Sequence, residues 1–164
     1  MSLRNYTLLS ILFIFILGTL LHFTYEWSGG NSFVGVFSSV NESTWEHLKL
    51  LFFPMLITTI IGYFLFKNKY PNFLCPKVLG IVIALAFTII FFYTYTGILG
   101  KNIPFIDISS FFVATIIGEI SSYILIINKF KCNNVFATTF ITIMIICFVI
   151  FTFSPLNIGL FRVP

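Results

Sequence analysis

Chemically reactive side chains are concentrated in one stretch, VNESTWEHLKLLFFPM, at residues 40–55. Between residues 41 and 48 it holds two carboxylates, an imidazole, an indole, an amide and two hydroxyls. The whole chain has 5 acidic residues and 2 histidines, so Glu42, Glu46 and His47 are a large share of its ionisable groups. Carboxylates and imidazoles serve as metal ligands and as proton carriers. We therefore predict catalytic roles for Glu42 and Glu46 and a ligand role for His47.

The other histidine, His22, lies four residues before Glu26, so a helix places both on one face. Gly18 lies one turn below His22 on that face, and glycine lets a neighbouring helix approach closely, so we expect the face to point into a bundle. The pair could bind a metal or act as a base with its orienting partner. It could equally be a hydrogen-bonded pair at a membrane surface, and the sequence leaves both interpretations open.

Part of residues 40–55 has a purely structural explanation. The sequence STWE at residues 43–46 matches a capping box, in which the Ser43 hydroxyl accepts from the Glu46 amide and the Glu46 carboxylate reaches back. Trp45 is typical of the aromatic belt at a membrane surface. Capping leaves three polar residues unexplained, Asn41, Glu42 and His47. A helix cap and a ligand site can coexist, so both are predicted here.

The elements that carry these residues must be membrane helices. Hydrophobic residues make up 59% of the 164 residues and charged residues only 9%, against about a quarter charged in a typical soluble domain. Five apolar runs are each long enough to cross a bilayer, at residues 6–25, 48–66, 78–99, 108–127 and 135–153. The predicted fold is therefore an all-α polytopic membrane protein, a single transmembrane domain over residues 1–164. Its lipid bilayer is the first predicted partner.

The outer loop between the first two spans is partly apolar. Residues 28–40 include Phe33, Phe37 and three glycines, which permit tight turns. The loop is too apolar for a solvated segment and too short to cross. It could be a lid over an outer pocket or a segment lying on the membrane surface.

Basic residues predict the orientation. The amino-terminal side carries six of them: Arg4, Lys67, Lys69, Lys77, Lys129 and Lys131. The other side carries three: Lys49, Lys101 and Arg162. The positive-inside rule then predicts a cytoplasmic amino terminus and an extracytoplasmic carboxyl terminus in a plasma membrane. The small net charge is a topology signal of this kind, and we expect no nucleic-acid partner. Cys75 and Cys132 would face the reducing compartment, and we expect isolated thiols there.

The same orientation sorts the acidic residues. Glu26, Glu42, Glu46 and Asp107 fall at the outer surface together with both histidines, and only Glu119 lies deep in a span. Asp107 could be a ligand or an N-terminal helix cap. Glu119 is expected to be protonated or paired, because a charge in mid-span is costly. Its predicted partners are hydroxyls: Tyr63, Tyr123, Thr138, Thr139 and Thr142. The fourth span also carries small residues at fourfold spacing, which predict a packing face: Ser110, Ala114, Gly118 and Ser122.

The chain resembles an uncharacterised family of small membrane proteins from low-GC Gram-positive bacteria, which carries a domain of unknown function. The resemblance rests on LLHFTYEWSGGNSFVGVFSSVNESTWEHLKLLFFPM, on FFYTYTGILG and on IDIS, with NESTWEHLKLLFFP as the most specific signature. It implies an integral membrane protein and supplies no chemistry. The matching polar positions are His22, Glu26, Asn41, Glu42, Ser43, Trp45, Glu46, His47, Lys49 and Asp107.

These observations together predict a polar pocket at the outer membrane face. It would be built from His22, Glu26, Glu42, His47 and Asp107. The first hypothesis is a site for a divalent metal such as zinc, acting on a lipid-linked or extracytoplasmic substrate. The second is a small transporter or permease subunit that uses Glu119 and the outer carboxylates. The third is a non-catalytic subunit of a larger complex, docked to a membrane partner protein through the polar cluster.

Overall fold

A computed structural model describes all 164 residues, of which 76% are helical and none are in strands. The helices are α1 (Leu3–Trp27), α2 (Ser32–Gly35), α3 (Thr44–Phe66), α4 (Leu74–Leu99), α5 (Pro104–Ile127) and α6 (Asn134–Phe153), followed by a 3₁₀ helix (Gly159–Phe161). All except α2 and the 3₁₀ helix are long and apolar enough to span a membrane. The predicted all-α fold with five membrane helices is confirmed. Helices α4 and α5 begin about one turn before the apolar runs, because they include the charged residues Lys77 and Asp107.

Helix α3 is the centre of the bundle. It contacts α1, α4 and the 3₁₀ helix. Within its apolar 18-residue stretch 61% is buried, against 11% for the corresponding stretch of α6. Leu51, Phe52 and Met55 of α3 form the main core with Ile81 and Ala84 of α4. Helix α6 lies at the edge and contacts chiefly α4. The helix that begins beside His47 is therefore the most firmly held element of the fold.

Helices α1 and α3 approach each other closely at Gly18. A Cβ atom there would lie 2.6 Å from the carbonyl oxygen of Leu50 and 2.6 Å from Cζ of Phe111. Leu50 precedes Pro54 by four residues, and proline has no N–H to donate to that carbonyl. The glycine thus lets α1 lie against a part of α3 that lacks one backbone hydrogen bond. Gly18 is buried, so the prediction that its face points into the bundle is confirmed.

The most extensive helix pair is α4 with α5. The predicted small-residue face of α5 is buried along its length, at Ser110, Ala114, Gly118 and Ser122. A Cβ atom on Gly118 would lie 2.7 Å from the carbonyl oxygen of Gly80 on α4, so the two backbones are almost in contact. The predicted packing role of this face is confirmed.

A buried ion pair joins the same two helices. Lys77 Nζ lies 2.5 Å from Glu119 Oε1, and both side chains are almost fully buried. Glu119 is therefore paired, but with a lysine rather than with the tyrosines or the threonines of α6. Lys77 was expected in a loop among the topology-setting charges. It lies instead in the first turn of α4, where burial against α5 keeps its ammonium away from water.

The structure also pairs two cysteines that were expected to be isolated. Cys75 at the start of α4 and Cys132 before α6 form a disulfide, with their Cα atoms 5.8 Å apart, and Cys147 is free. The two sulfurs meet because the amino-terminal ends of α4 and α6 lie side by side. A separation of 57 residues carries no local signature, so the sequence pattern could not show this pairing.

Candidate metal centre

Three side chains from three parts of the chain meet at the end of the bundle where α1 finishes and α3 begins. His22 belongs to α1, Glu42 to the loop that precedes α3, and His47 to the first turn of α3. Glu42 lies between the imidazoles, with its carboxylate oxygens 3.8 Å from His22 Nε2 and 3.4 Å from His47 Nε2. One ligand atom from each residue lies within 4.8 Å of the others. The ring centroids of the histidines are 5.3 Å apart.

The orientation of His47 is fixed by its own helix. Its Nδ1 lies 2.9 Å from the carbonyl oxygen of Ser43, one turn earlier. A carbonyl oxygen only accepts hydrogen bonds, so Nδ1 carries the hydrogen and donates it. In the neutral ring, Nε2 then has a free lone pair, and this atom is the one that faces Glu42. A backbone carbonyl holding the far nitrogen of a histidine is the usual arrangement around metal-binding histidines.

The three ligands fit a zinc ion after a small contraction. Bonds of about 2.0–2.1 Å in a tetrahedral site separate ligand atoms by roughly 3.3 Å. The widest separation must therefore shorten by at most about 1.5 Å. The Glu42 distances of 3.8 and 3.4 Å are already close to this tetrahedral separation, and the Glu42 side chain is 63% exposed in a loop and has room to adjust. Three protein ligands leave a fourth position for water or substrate, as in catalytic zinc sites.

The loop that carries Glu42 is attached to α1 by a buried serine. The Ser38 hydroxyl accepts from the Tyr25 N–H at 2.9 Å and donates to the Leu21 carbonyl. Phe37 packs its ring on Phe53 of α3, with centroids 4.9 Å apart. Upstream, the segment forms the one-turn helix α2, with Phe33 exposed to its surroundings. Whether this segment acts as a lid stays a prediction.

The helix cap at the start of α3 uses a different residue from the one predicted. The Ser43 hydroxyl accepts from the Glu46 N–H at 3.4 Å, as in a capping box. The Glu46 carboxylate does not reach back to Ser43. Instead, the Asn41 side chain accepts from the Ser43 N–H at 2.9 Å. Asn41, which capping left unexplained, therefore completes the cap and leaves Glu46 free for another contact.

Glu46 is engaged in a buried polar group. It forms an ion pair with Lys49 at 2.5 Å, and both side chains are almost fully buried. The Glu46 carboxylate also accepts from the Val40 N–H at 2.9 Å and from the Thr152 hydroxyl of α6 at 3.3 Å. Lys49 donates to the Gly35 carbonyl at 2.7 Å and to the same Thr152 hydroxyl at 3.0 Å. This placement gives the predicted catalytic Glu46 a structural task, because its carboxylate is almost fully buried and is bonded to Lys49, Val40 and Thr152.

Trp45 lies in the interior rather than in a surface belt. Its indole is buried and packs against Phe148, Phe151 and Phe161, with centroids 4.8, 5.7 and 5.0 Å away. The chain after α6 folds back over the start of α3 and covers the ring. The expected belt position did not anticipate this cover.

Two other predicted site residues lie outside the group of three. Glu26 is exposed, one turn beyond His22 at the end of α1. Asp107 accepts a hydrogen bond from the hydroxyl of Tyr95, and the Tyr95 oxygen accepts from the Ile103 N–H at 3.2 Å. Asp107 therefore joins the ends of α4 and α5. The cluster of hydroxyls in YTYTG at residues 93–97 was the signal in the sequence for this contact.

The sequence model of one protein family matches residues 1–163, nearly the whole chain. The chain belongs to DUF6512, a family of unknown function. No curated protein matches the chain, and no solved structure matches it. Membership of DUF6512 confirms the resemblance to an uncharacterised family. The chemistry of the site must therefore be inferred from its geometry.

Proposed function

We propose that His22, Glu42 and His47 bind one divalent metal ion, with zinc as the best fit, and that the metal acts on a lipid-linked or extracytoplasmic substrate. The observation that carries the proposal is the orientation of His47. Its Nδ1 is held by the Ser43 carbonyl, while Nε2 faces the carboxylate that also approaches His22. Two imidazole nitrogens and one carboxylate oxygen form a ligand set found in catalytic zinc sites.

The chemistry supplied by such a metal is that of a Lewis acid. A zinc ion with three protein ligands polarises a carbonyl or phosphoryl oxygen and lowers the pKa of a bound water to about 7. Glu46 is buried in its ion pair with Lys49 and is not available as a base. Glu26 shares the α1 face of His22 and is exposed, so it is the remaining carboxylate for proton transfer beside the site.

The proposed orientation places the site outside the cytoplasm. The bacterial source is what the resemblance implies. Lys49 and Lys77 are buried in ion pairs and do not face lipid headgroups or water. Without them, five basic residues lie at the amino-terminal side and two at the opposite side. The excess of three basic residues at the amino-terminal side is thus the same for the accessible charges as for the whole set. It favours a cytoplasmic amino terminus in a plasma membrane, whereas the Cys75–Cys132 disulfide at the same end of the bundle favours an oxidising compartment there. The proposed orientation rests on the charges.

An amphipathic substrate is supported by the surroundings of His22. The ring of Phe23 lies 4.9 Å from the imidazole, and Trp27 stacks on Phe23 at 5.8 Å. Both aromatic side chains are exposed at the end of a membrane helix. Aromatic residues in such positions occupy the boundary between lipid and water. A substrate with a polar group at the metal and an apolar chain in the membrane suits this boundary.

The test is the metal content of the purified full-length protein. We expect about one zinc per chain in the wild type, by analogy with three-ligand sites, and a large loss in His22→Ala, His47→Ala and Glu42→Gln. Glu26→Gln is the matched control, because it removes a nearby exposed carboxylate outside the ligand group. Absence of metal from the wild type, after incubation with zinc and removal of loosely bound ions, would end the proposal. The three residues would then form an exposed polar cluster that contributes little to stability.

Transport through the bundle is the second candidate function. It has less support, since Glu119 is paired with Lys77 and Asp107 is bonded to Tyr95. About 18 Å separate Asp107 and Glu119 along α5. Unchanged flux in proteoliposomes containing Glu119→Gln would count against it.

A further inference from the structure

We propose that a buried polar group, Glu46, Lys49 and Thr152, positions Glu42 for metal binding. We call this group the outer clasp. The proposal rests on the metal site proposed above, and assigns to these residues a positioning role rather than a catalytic one. Their side chains do not belong to the ligand group, but Glu46 and Lys49 bond to the backbone of the segment that carries Glu42, and Thr152 bonds to both of them.

The outer clasp holds the loop at two backbone groups. Glu46 accepts from the N–H of Val40, two residues before Glu42, and Lys49 donates to the carbonyl of Gly35 at the end of α2. The Glu42 side chain is mostly exposed and touches only the two imidazoles among charged groups. Its carboxylate can therefore be placed accurately only if its backbone is held. On the carboxyl-terminal side of Glu42, the N–H groups of α3 already hold Ser43, and on the amino-terminal side the bond from Glu46 to Val40 holds the loop.

The charged groups of the outer clasp suit the role of holding the loop backbone. Burying an ion pair contributes little net stability, and a well-packed apolar pair often does as well. Apolar side chains could not bond to a backbone N–H and a backbone carbonyl. Here Glu46 and Lys49 each form one further hydrogen bond with the loop backbone and one with the Thr152 hydroxyl. The arrangement fits a group retained to orient the loop.

Thr152 extends the outer clasp to α6. Its hydroxyl donates to Glu46 and accepts from Lys49. Helix α6 is the least buried span, and Thr152 lies in its last turn. A displacement of that turn would alter the hydrogen bonds of Glu46, and through Val40 the position of Glu42. The metal site and the edge helix are thus connected by one threonine.

The experiment compares matched amide and valine variants of the full-length protein. Glu46→Gln breaks the ion pair of the outer clasp, and Glu119→Gln breaks the other buried ion pair, which lies on α4 and α5 away from the site. Thr152→Val removes the shared hydroxyl, and Thr138→Val is its control on the exposed side of α6. The dissociation constant for Zn²⁺ is measured by competition with a chromophoric chelator. The d–d spectrum of the Co²⁺ form reports the ligand geometry.

We expect Glu46→Gln to weaken zinc binding by about 10- to 100-fold, the usual effect of changing a group that orients a ligand. Thr152→Val should weaken it several-fold, and both variants should alter the Co²⁺ spectrum. Glu119→Gln and Thr138→Val should leave affinity and spectrum as in the wild type, even where Glu119→Gln lowers the melting temperature. Equal losses of affinity in Glu46→Gln and Glu119→Gln would overturn the proposal, because they would reflect stability alone.

A metal-free measurement separates this proposal from the metal site itself. The chain has 2 histidines, so their imidazole ¹⁵N signals can be assigned with a His22→Gln variant. Glu42→Gln should move both signals, and Glu46→Gln should reproduce part of that movement. If the wild type binds no metal but these signals move, the metal site fails, and what remains is that the outer clasp places Glu42 between the two imidazoles. Unmoved signals in Glu46→Gln would overturn the positioning role whether or not metal binds.

Discussion

The buried Lys77–Glu119 pair allows a quantitative prediction about the interior of the bundle. Nζ and Oε1 are 2.5 Å apart, and only 3% and 1% of the two side-chain surfaces are exposed. Removing one partner leaves a charge that water does not reach. Removing both leaves an apolar contact between α4 and α5. The single changes should therefore be much more harmful than the double change.

The size of the effect follows from what the remaining partner can do. An unpaired buried charge costs about 3–5 kcal/mol. We expect Lys77→Met and Glu119→Leu each to lower the free energy of unfolding by about 3–5 kcal/mol, because each leaves the other charge buried without its partner. The double variant should lie within about 1 kcal/mol of the wild type or above it.

The assay is unfolding of the purified protein in detergent micelles, followed by circular dichroism against temperature and against an added denaturing detergent. Zinc content serves as a check that the outer end of the bundle is intact. Single and double variants of equal stability would refute the reasoning, since they would show that water solvates the pair. Additive losses would refute it as well, because the two charges would then act independently.

Two further predictions concern contacts at opposite ends of the bundle. Because Cys75 and Cys132 are paired, a thiol-alkylating reagent should label one cysteine per denatured chain without reduction and three after reduction. Three labels without reduction would contradict the pairing. Tyr95→Phe removes the hydroxyl that donates to Asp107 and should cost about 1–3 kcal/mol of stability while zinc content is unchanged. A loss of zinc in that variant would show that Asp107 takes part in the site.

The features that the sequence predicted correctly depend on local spacing. The apolar runs predict five spans because a membrane helix needs a fixed length of apolar residues. Gly18 predicts the buried face of α1, and the small residues of α5 predict its contact with α4, because glycine shows where backbones can touch. His22 and His47 were placed together because they lie at the same ends of consecutive spans. The structure confirms that their imidazoles meet.

The features that it missed depend on the path of the chain in three dimensions. Glu46 follows Ser43 at capping distance, so the motif predicts a local bond, but the loop brings the Val40 N–H to its carboxylate instead. Lys49 has its partner Glu46 only three residues earlier, but nothing local shows that the pair will be buried. The partner of Lys77 is Glu119, 42 residues further along the chain, so nothing near Lys77 indicates it. Long-range partners of this kind leave no periodic pattern.

The close approach of α1 to α3 at Gly18 also limits which residues can occupy that position of the first helix. His22 lies about 6 Å beyond Gly18 along α1, and His47 lies about 4.5 Å beyond Leu50 along α3, both on the outer side of the crossing. A larger side chain at the crossing should therefore increase the distance between the outer ends of α1 and α3. A methyl group added at Gly18 would lie 2.6 Å from the Leu50 oxygen, and we expect it to move the imidazoles apart without altering any of the three side chains proposed as ligands. The distance between the two imidazoles thus depends on Gly18, which has no side chain and lies more than one helical turn from His22.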